Sequence, residues 1–581
     1  MIVSSPQTNE KLTLSQLESF LWDSANILRT SLDAAEYKDY IFGMLFLKHL
    51  SDAFDEEREN VIQHYLDTGK SQQQAEQFAS EQDEYDKTFF VPEIARWKNL
   101  KDLKHDVGSE LNKATEAIEE QNPTLEGVLV SIDFNIKDKL TDSELRDLLS
   151  HYSTYRLRVS DFERPDLLGA AYEYLIKMFA QTAGKKSGEF YTPSEVVKLL
   201  VELIKPKAGM KIYDPTCGSG GMLIQTRDYL KRQGENPSNL LLSGQESKLS
   251  TWAICKLNMF LHGVRGADIR KGDTLGDPQH IENGELMRFD RVIANPPFSL
   301  KKWGRDLAEN DGYGRYRFGL PPNDAGDLAF IQHMIASLNN QGVLGVVVPH
   351  GVLFRGGTEK EIRKGIIEMD LLEAVIGLPP ALFYGTGIPA ALLIFNKQKN
   401  RFLKNNIFFV NAEREYGAGK KQNLLTQENI SKIVTCYDST QEIKRFSKVI
   451  PLEQIRSNDH NLNIRRYVDT SPPTEYFDIN GILKGGIPIE EIEEDYIQEI
   501  IKDFNLNILL EKKNSNYMKF KDEITNKEQI RILLSENSDK LIIQLEKWWD
   551  KYAISLNQID SEVQQTELKM NSFLKDLGYE R

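Results

Sequence analysis

The sequence predicts an α/β fold, an open and mainly parallel sheet between a helical N-terminal domain and a C-terminal coiled-coil helical tail. Three observations predict it. Between Met210 and Asn295 four short apolar runs each end in polar residues, with helical stretches between them. That alternation is the rhythm of right-handed βαβ units whose functional edge lies at the strands' C-terminal ends. Before it, apolar residues recur at helical spacing, as in Ile41, Met44, Leu45, Leu47, Leu50 and Phe54. After it, from Ile542, apolar-compatible positions step by three and four residues with no proline.

At 581 residues the chain exceeds one core, and it divides by texture into 1–165, 166–470 and 471–581. No apolar run approaches the roughly 20 residues of a membrane span. The start, Met1 to Pro6, lacks a basic stretch followed by an apolar core, so no secretory signal is read there. The three cysteines, Cys217, Cys255 and Cys436, have neither zinc spacing nor a disulfide framework, and a reducing cytoplasm is the expectation. A net charge of −15 argues against a whole-surface grip on nucleic acid. Any positive surface must be local or supplied by a partner.

The first domain opens with Ser15-Gln16-Leu17-Glu18, which has the form of a capping box. The Gln-rich and acidic stretch Ser71–Asp86 reads as solvated helix surface or loop, and nothing in this domain is catalytic in type. A helix over Leu167–Phe179 then leads to a loop and to Gly188-Glu189-Phe190-Tyr191-Thr192-Pro193-Ser194. Thr192 or Ser194 is placed to cap a helix over Glu195–Ile204.

Strands are expected at Met210–Tyr213, Leu240–Ser243, Asp268–Arg270 and Arg291–Ala294. They end at Asp214, at Gly244-Gln245-Glu246, at Gly272-Asp273-Thr274 and at Asn295-Pro296-Pro297-Phe298. Helices Leu328–Leu338 and Glu361–Met369 alternate with strands Gly342–Val348 and Leu371–Gly377. Ala390–Phe395 and Ile407–Val410 close the sheet, antiparallel strands being allowed there. The loop Leu378–Gly387, with adjacent Phe383 and Tyr384, returns to the same edge. Asn411–Asn526 is less readable, punctuated by Ser471-Pro472-Pro473 and Gly485-Gly486. The tail seam runs through Leu545, Trp549, Tyr552, Leu556, Ile559, Val563, Thr566, Met570, Phe573 and Leu577, and such a seam wants a partner.

The strand ends carry the chemistry. Asp214-Pro215-Thr216-Cys217-Gly218-Ser219-Gly220-Gly221 is a glycine-rich strand-to-helix turn that lets a ligand approach the backbone. No Lys-Ser/Thr follows the glycines, so a nucleoside-triphosphate loop is not expected. An acid precedes them instead, which repels phosphate and accepts from an ammonium. Glu246 ends the next strand, where an acid accepts from ribose hydroxyls, and Asp273 is placed to accept from a base amine. An ammonium, a ribose and a base without a demanding phosphate describe S-adenosylmethionine. Asn295-Pro296-Pro297-Phe298 is a stiff turn offering an amide, free carbonyls and a ring, a set suited to a planar amine. Cys217 reads as a small turn residue, and His350 as structural. Lys301, Lys302, Arg305, Arg315 and Arg317, diluted by Asp306, Glu309 and Asp311, suit either phosphate contacts or a solvated loop.

The ordered motifs Gly188–Pro193, Asp214–Gly221, Gly272-Asp273 and Asn295–Phe298 resemble those of amino-group DNA methyltransferases. With the helical N-terminal domain, Leu378–Gly387 and the tail, the chain resembles the modification subunit of a type I restriction–modification system. The resemblance implies a Rossmann-like S-adenosylmethionine-dependent adenine-N6 methyltransferase domain. Glu189, Phe190, Tyr191, Thr192, Pro193 and Ser194, with Gly218, Ser219, Gly220 and Gly221, would hold the cofactor's methionine end, and Asp214 its ammonium. Glu246 would bind the ribose and Asp273 the adenine. Asn295 and the Pro296 carbonyl, on a turn stiffened by Pro297, would accept from the amine of a flipped adenine that stacks on Phe298. The implied partners are duplex DNA and a separate specificity subunit shared by two modification subunits, with or without a restriction/translocase subunit. The tail would pack on that partner's helices. No metal is called for, and no nuclease or helicase motif is present. Two other readings stay open: methylation of a protein glutamine amide, and a cofactor-binding scaffold without catalysis.

Overall fold

The computed structural model describes residues 11–29, 31–85, 88–136, 139–182, 191–383, 387, 389–419, 422–469, 478–502, 504–534, 539–577 and 579. It divides into two compact units, Met1–Thr470 and Ser471–Arg581.

The first unit is a mixed α/β body built on a nine-stranded sheet. We label its strands β1 (Lys211–Asp214), β2 (Leu241–Glu246), β3 (Asp268–Lys271), β4 (Phe289–Ala294), β5 (Leu338–Pro349), β6 (Leu372–Gly377), β7 (Ala390–Asn396), β8 (Asn406–Asn411) and β9 (Ser447–Pro451). Their order across the sheet is 9-8-6-7-5-4-1-2-3. Strands β3, β2, β1, β4 and β5 run parallel, while β7 is antiparallel to both β5 and β6. Of the two closing strands for which an antiparallel course was allowed, β7 takes it, whereas β8 returns parallel to β6 with β9 reversed against it. The chain order turns back between β1 and β4, so their C-terminal ends form the crevice where such sheets place ligands.

The apolar runs become strands because both sheet faces are covered. Val292, Ile293 and Ala294 in β4 are wholly buried, as are Ala374, Val375 and Ile376 in β6. Helix Ser194–Ile204 lies over β5, where a Cβ on Gly345 would come within 2.7 Å of Ile204 and 2.8 Å of Leu200. Residue 345 must therefore be glycine for the helix to sit this close.

Among the described residues the N-terminal region is mainly helical: Leu14–Leu28, Ala34–Asp67, Val107–Gln121, Asp142–Tyr152 and Leu167–Thr182 are its longer helices. The first begins at Thr13, not Ser15, because Thr13 and Gln16 form the reciprocal cap. The buried pair Lys48–Asp52 (2.7 Å) also accepts the Leu157 N–H through Asp52 at 2.6 Å. These helices share one apolar core with the sheet, running from Leu17 and Phe42 through Leu200 to Ile293.

The second unit holds a three-stranded antiparallel sheet and helix Asp539–Tyr552. Glu491 accepts from Trp548 Nε1 at 3.0 Å and from the Tyr552 hydroxyl at 2.7 Å. The tail differs from one continuous seam. Its first half is core: Leu545, Trp548 and Tyr552 are buried in this unit, so Trp548 rather than Trp549 is the anchor. The chain breaks before Ser555, which caps a new helix, Leu556–Asp576, by accepting from Gln558 N–H at 3.2 Å. No residue of that helix is buried. Among the described residues no helix is long and apolar enough to cross a membrane.

Candidate functional site

The four strand ends converge as predicted by the topology. Asp214 ends β1 and is only 2 % exposed. Its Oδ1 accepts the Thr216 N–H at 3.0 Å, folding the turn back under the strand. Gly218 has a φ of 53° and Gly220 a φ of 82°, a region closed to most side chains. A Cβ on Gly220 would stand 2.6 Å from Met259 and 2.9 Å from Cys255, so the turn lies flat on helix Leu249–Leu261. Gly220 thus packs the turn rather than lining a ligand space.

Two adjoining cavities open along this edge, sharing Thr216 and Asn295. The first is lined by Tyr191, Thr192, Ser194, Asp214, Gly218, Ser219, Gly221 and also Glu173. The second is lined by Glu246, Asp273, Pro297 and Lys248 among others. Among the described residues four carboxyls and one lysine line the two cavities, a balance that suits a cationic ligand better than a phosphate. Burial pushes the Asp214 carboxyl up to about 8, opposed by the Thr216 N–H and reinforced by Glu246. Burial also lifts Glu173 to about 7, with Asp228 adding to it. A cation entering the first cavity would relieve both.

Glu246 is already oriented by the backbone: Oε2 accepts from Gly218 N–H (3.2 Å) and Oε1 from Lys248 N–H (2.9 Å). Oε1 also accepts from the Ser247 hydroxyl at 3.4 Å, while Oε2 keeps a lone pair for a hydroxyl donor. Asp273 is held by the Leu275 N–H at 3.1 Å, and the Thr274 hydroxyl donates to the Pro215 carbonyl at 2.5 Å, tying two strand ends together.

Asn295 stands where the cavities meet. Its Nδ2 donates to the Thr192 hydroxyl at 2.9 Å, while its Oδ1 is buried with no hydrogen-bond partner among the described residues. An asparagine oxygen ordinarily accepts from the N–H two residues on. Residues 296 and 297 are both proline and carry no N–H, so the local chain cannot consume this acceptor. The exit of the turn is pinned at Ser299, φ 51°, whose N–H donates to buried Asp327 at 2.9 Å. Arg355 holds Asp327 (3.2 Å) and Ser299 Oγ (3.0 Å) in turn.

Several expectations change here. Neither Thr192 nor Ser194 caps the helix, which starts at Ser194 behind Pro193 with no side-chain cap. Pro193 and Pro296 are buried and shape the turns from behind. Phe298 lines neither cavity: it is half-buried, edge-on to Phe383 with centroids 6.1 Å apart. Glu189 and Phe190 lie outside the described residues, as does Tyr384. Arg315 is not a surface cation but is buried and paired with Asp311 at 2.7 Å. Arg305 pairs with Glu309 and Arg317 lies over Phe318, leaving Lys301 and Lys302 exposed. Cys217 sits 3.8 Å from Cys255, sulfur to sulfur, and that contact and burial hold its thiol well above the usual range. His350 Nε2 lies 3.1 Å from the Ala390 carbonyl, a structural contact. Glu173 had no motif to mark it; its only signal was an acid among apolar residues in the middle of helix Leu167–Thr182.

The family model described as N-6 DNA Methylase matches residues 163–475, and the one described as HsdM N-terminal domain matches residues 17–151. The chain is 33 % identical over 513 residues to the type I restriction enzyme MjaVIII methylase subunit of Methanocaldococcus jannaschii, covering 85 % of each chain. It is 30 % identical over 538 residues to the MpnII methylase subunit of Mycoplasma pneumoniae, covering 84 % of this chain and 96 % of that protein. Among solved structures it is similar to the type I restriction–modification system methyltransferase subunit from Streptococcus thermophilus. That match has a TM-score of 0.69 and 32 % identity, and covers 79 % of this chain and all of the other.

Proposed function

Because the chain belongs to the N-6 DNA methylase family, we propose that it methylates adenine N6 in duplex DNA as the modification subunit of a type I restriction–modification complex. Its methyl donor, in this reading, is S-adenosylmethionine. The observation that carries the reading is the unpartnered Oδ1 of Asn295, buried at the junction of two acid-lined cavities.

The residues fit that donor. Asp214 has a buried carboxyl raised by burial, and a ligand ammonium would be its counterpart. Ser219 and the Gly218 and Gly221 backbone line the space beside it, with Tyr191 and Ser194 opposite. Glu246 and Asp273 would accept from ribose hydroxyls and an adenine amine in the second cavity. When bound, S-adenosylmethionine supplies an electrophilic methyl on a sulfonium.

The chain's own part in the reaction is positioning. Asn295 Oδ1 and the Pro296 carbonyl accept the two hydrogens of the target amine. Held so, the nitrogen lone pair points away from the acceptors and toward the methyl, and no strong base is required. The target must leave the duplex to reach Asn295. Phe298, beside Phe383, then offers its ring as the stacking surface.

Sequence choice is assigned to another chain. The protein carries a net charge of −15, and the helix Leu556–Asp576 exposes Leu556, Ile559, Val563, Met570 and Phe573 along one heptad stripe that ends at its C-cap, Leu577. We assign that stripe to long helices of a DNA specificity subunit, two modification subunits to each, with 1–165, 166–470 and 471–581 as helical, catalytic and assembly domains. The glutamine-amide and scaffold readings gain no support from relatives that are type I methylase subunits. The test combines purified chain, specificity partner, S-adenosylmethionine and duplex DNA. N6-methyladenine at a defined site supports the reading, and a folded complex that yields none overturns it.

A further inference from the structure

We propose that Thr192 is the positioning residue of the catalytic amide: its hydroxyl holds Asn295 Nδ2 and thereby turns Oδ1 toward the target amine. This departs from the expectation that Thr192 contacts the cofactor's methionine end, and it rests on the reading of Asn295 as the amine acceptor.

A primary amide has two ends of nearly equal shape and opposite hydrogen-bonding sense. With Oδ1 toward the substrate, Asn295 accepts an amine hydrogen. With the amide flipped, it presents two N–H donors to the amine, and the same side chain blocks the reaction. A hydroxyl can accept from Nδ2 or donate to Oδ1, so the Thr192 contact fixes the place of the amide, and the sense seen, Nδ2 on the hydroxyl, is the one that leaves Oδ1 for the substrate. Asn295 is followed by Pro296 and Pro297 and has no local N–H to fix its oxygen. The only hydrogen bond to its side chain among the described residues is Nδ2 to Thr192 Oγ1, 2.9 Å, part-buried. The opposite end, Oδ1, is buried and unpartnered.

Thr192 is well built to serve as the fixed end. It lies one residue before the buried Pro193, whose φ of −52° sets the entry to helix Ser194–Ile204. That helix buries Val196, Val197, Leu199, Leu200, Val201 and Ile204 against the body of the sheet. The Ser194 carbonyl, in the first turn, accepts from Gln225 Nε2 at 3.1 Å, which anchors the entry to the helix after the glycine turn. Thr192 and Asn295 are 103 positions apart in sequence, so the contact exists only if motif loop and strand end are both in register. A β-branched residue also has restricted χ1, which keeps the hydroxyl aimed at the amide.

The test uses Thr192→Val, which keeps the shape and removes the hydroxyl, and Thr192→Ser, which keeps the hydroxyl. Each variant is assembled with the specificity partner and duplex DNA, and single-turnover methyl transfer is measured at saturating S-adenosylmethionine. Thr192→Val is expected to slow transfer on the order of 10- to 100-fold, the size of a lost orienting hydrogen bond beside an unpaired amide. Binding of S-adenosylmethionine by titration calorimetry is expected to stay within about twofold, because the hydroxyl is engaged by Asn295 and not by the ligand. Thr192→Ser is expected to recover most of the rate. A Thr192→Val variant with the full rate overturns the inference, and so does one whose loss lies wholly in cofactor affinity. Asn295→Ala, run in parallel, separates the two claims. If it retains the full rate, the acceptor reading itself fails; if it abolishes transfer while Thr192→Val is neutral, only the role of Thr192 fails.

Discussion

Arg315 donates from Nη1 to the carbonyl of Thr274 at 3.0 Å, and from Nη2 to that of Leu275 at 2.9 Å. The loop that follows Asn295-Pro296-Pro297-Phe298 thus reaches back and fixes the turn carrying Asp273. Arg315 is 5 % exposed, and its partner Asp311 is held at 2.7 Å. Arg315→Met would leave Asp311 Oδ1 and two carbonyls without their guanidinium donors, only the backbone N–H at 2.6 Å still reaching Asp311 Oδ2, a loss of about 3–5 kcal/mol for a broken buried pair. Urea unfolding of the full chain checks it. S-adenosylmethionine affinity should fall as well, since the Asp273 turn loses its brace.

Cofactor affinity should depend on pH through Asp214. Its carboxyl is raised by burial from 3.8 to about 8, so the folded chain keeps a proton that the unfolded chain releases near pH 4. By linkage this group lowers stability as pH rises from about 4 to about 8. A cationic ligand favours the ionised form and reverses that cost. Binding of S-adenosylmethionine at pH 7 should therefore release a proton and tighten from pH 6 to pH 8. Calorimetry in phosphate and in Tris, whose ionisation enthalpies differ, measures the release. Asp214→Asn should reduce both effects, with Glu173, lifted to about 7 beside the same cavity, supplying the remainder, and Asp214→Asn with Glu173→Gln should remove them.

Gly220→Ala should destabilise the fold and weaken cofactor binding together. The added methyl meets Met259 at 2.6 Å and Cys255 at 2.9 Å, at a φ of 82°. Overpacking and left-handed strain cost about 1–3 kcal/mol. Gly234→Ala is the control: φ is 74° there, but no atom lies within 4 Å, so only the strain term remains. Thermal unfolding of both variants separates clash from strain.

Val563→Glu should leave the chain intact and abolish assembly. Val563 is 50 % exposed on a helix with no buried residue. A surface change of this kind shifts stability by no more than about 0.5 kcal/mol, yet it places a charge in the centre of the apolar stripe. Light scattering of the chain mixed with its specificity partner would show free subunits, while S-adenosylmethionine binding stays unchanged.

The strand ends that line the two cavities were legible because each is local. A buried run such as Val292-Ile293-Ala294 stopped by Pro296-Pro297 is readable from neighbours alone, and so are Asp214, Glu246 and Asp273 at their strand ends. What escaped depends on residues far apart. The Thr192 hydroxyl looks like a helix cap until Asn295, 103 positions later, is brought against it. Arg315 in a glycine-rich loop reads as surface, because nothing local shows the carbonyls of Thr274 and Leu275 closing over it. Glu173 became notable only once the fold set it, half-buried, beside the first cavity. The tail failed for another reason. Heptad spacing runs straight through Ser555, whereas the Ser555-x-x-Gln558 cap beneath it is a helix start. Periodicity across a break is maintained when two helices each carry an apolar face.

The acceptor at Asn295 is the centre of the proposed reaction, and its direct measurement is the identity of the methylated atom. The assembled complex is incubated with duplex DNA and S-adenosylmethionine carrying a deuterated methyl, and the digested nucleosides are weighed by mass spectrometry. The native chain should yield labelled N6-methyladenine, and Asn295→Ala should reduce it by at least about 100-fold while still binding the cofactor. Label on another atom, or an undiminished yield from Asn295→Ala, would contradict the account.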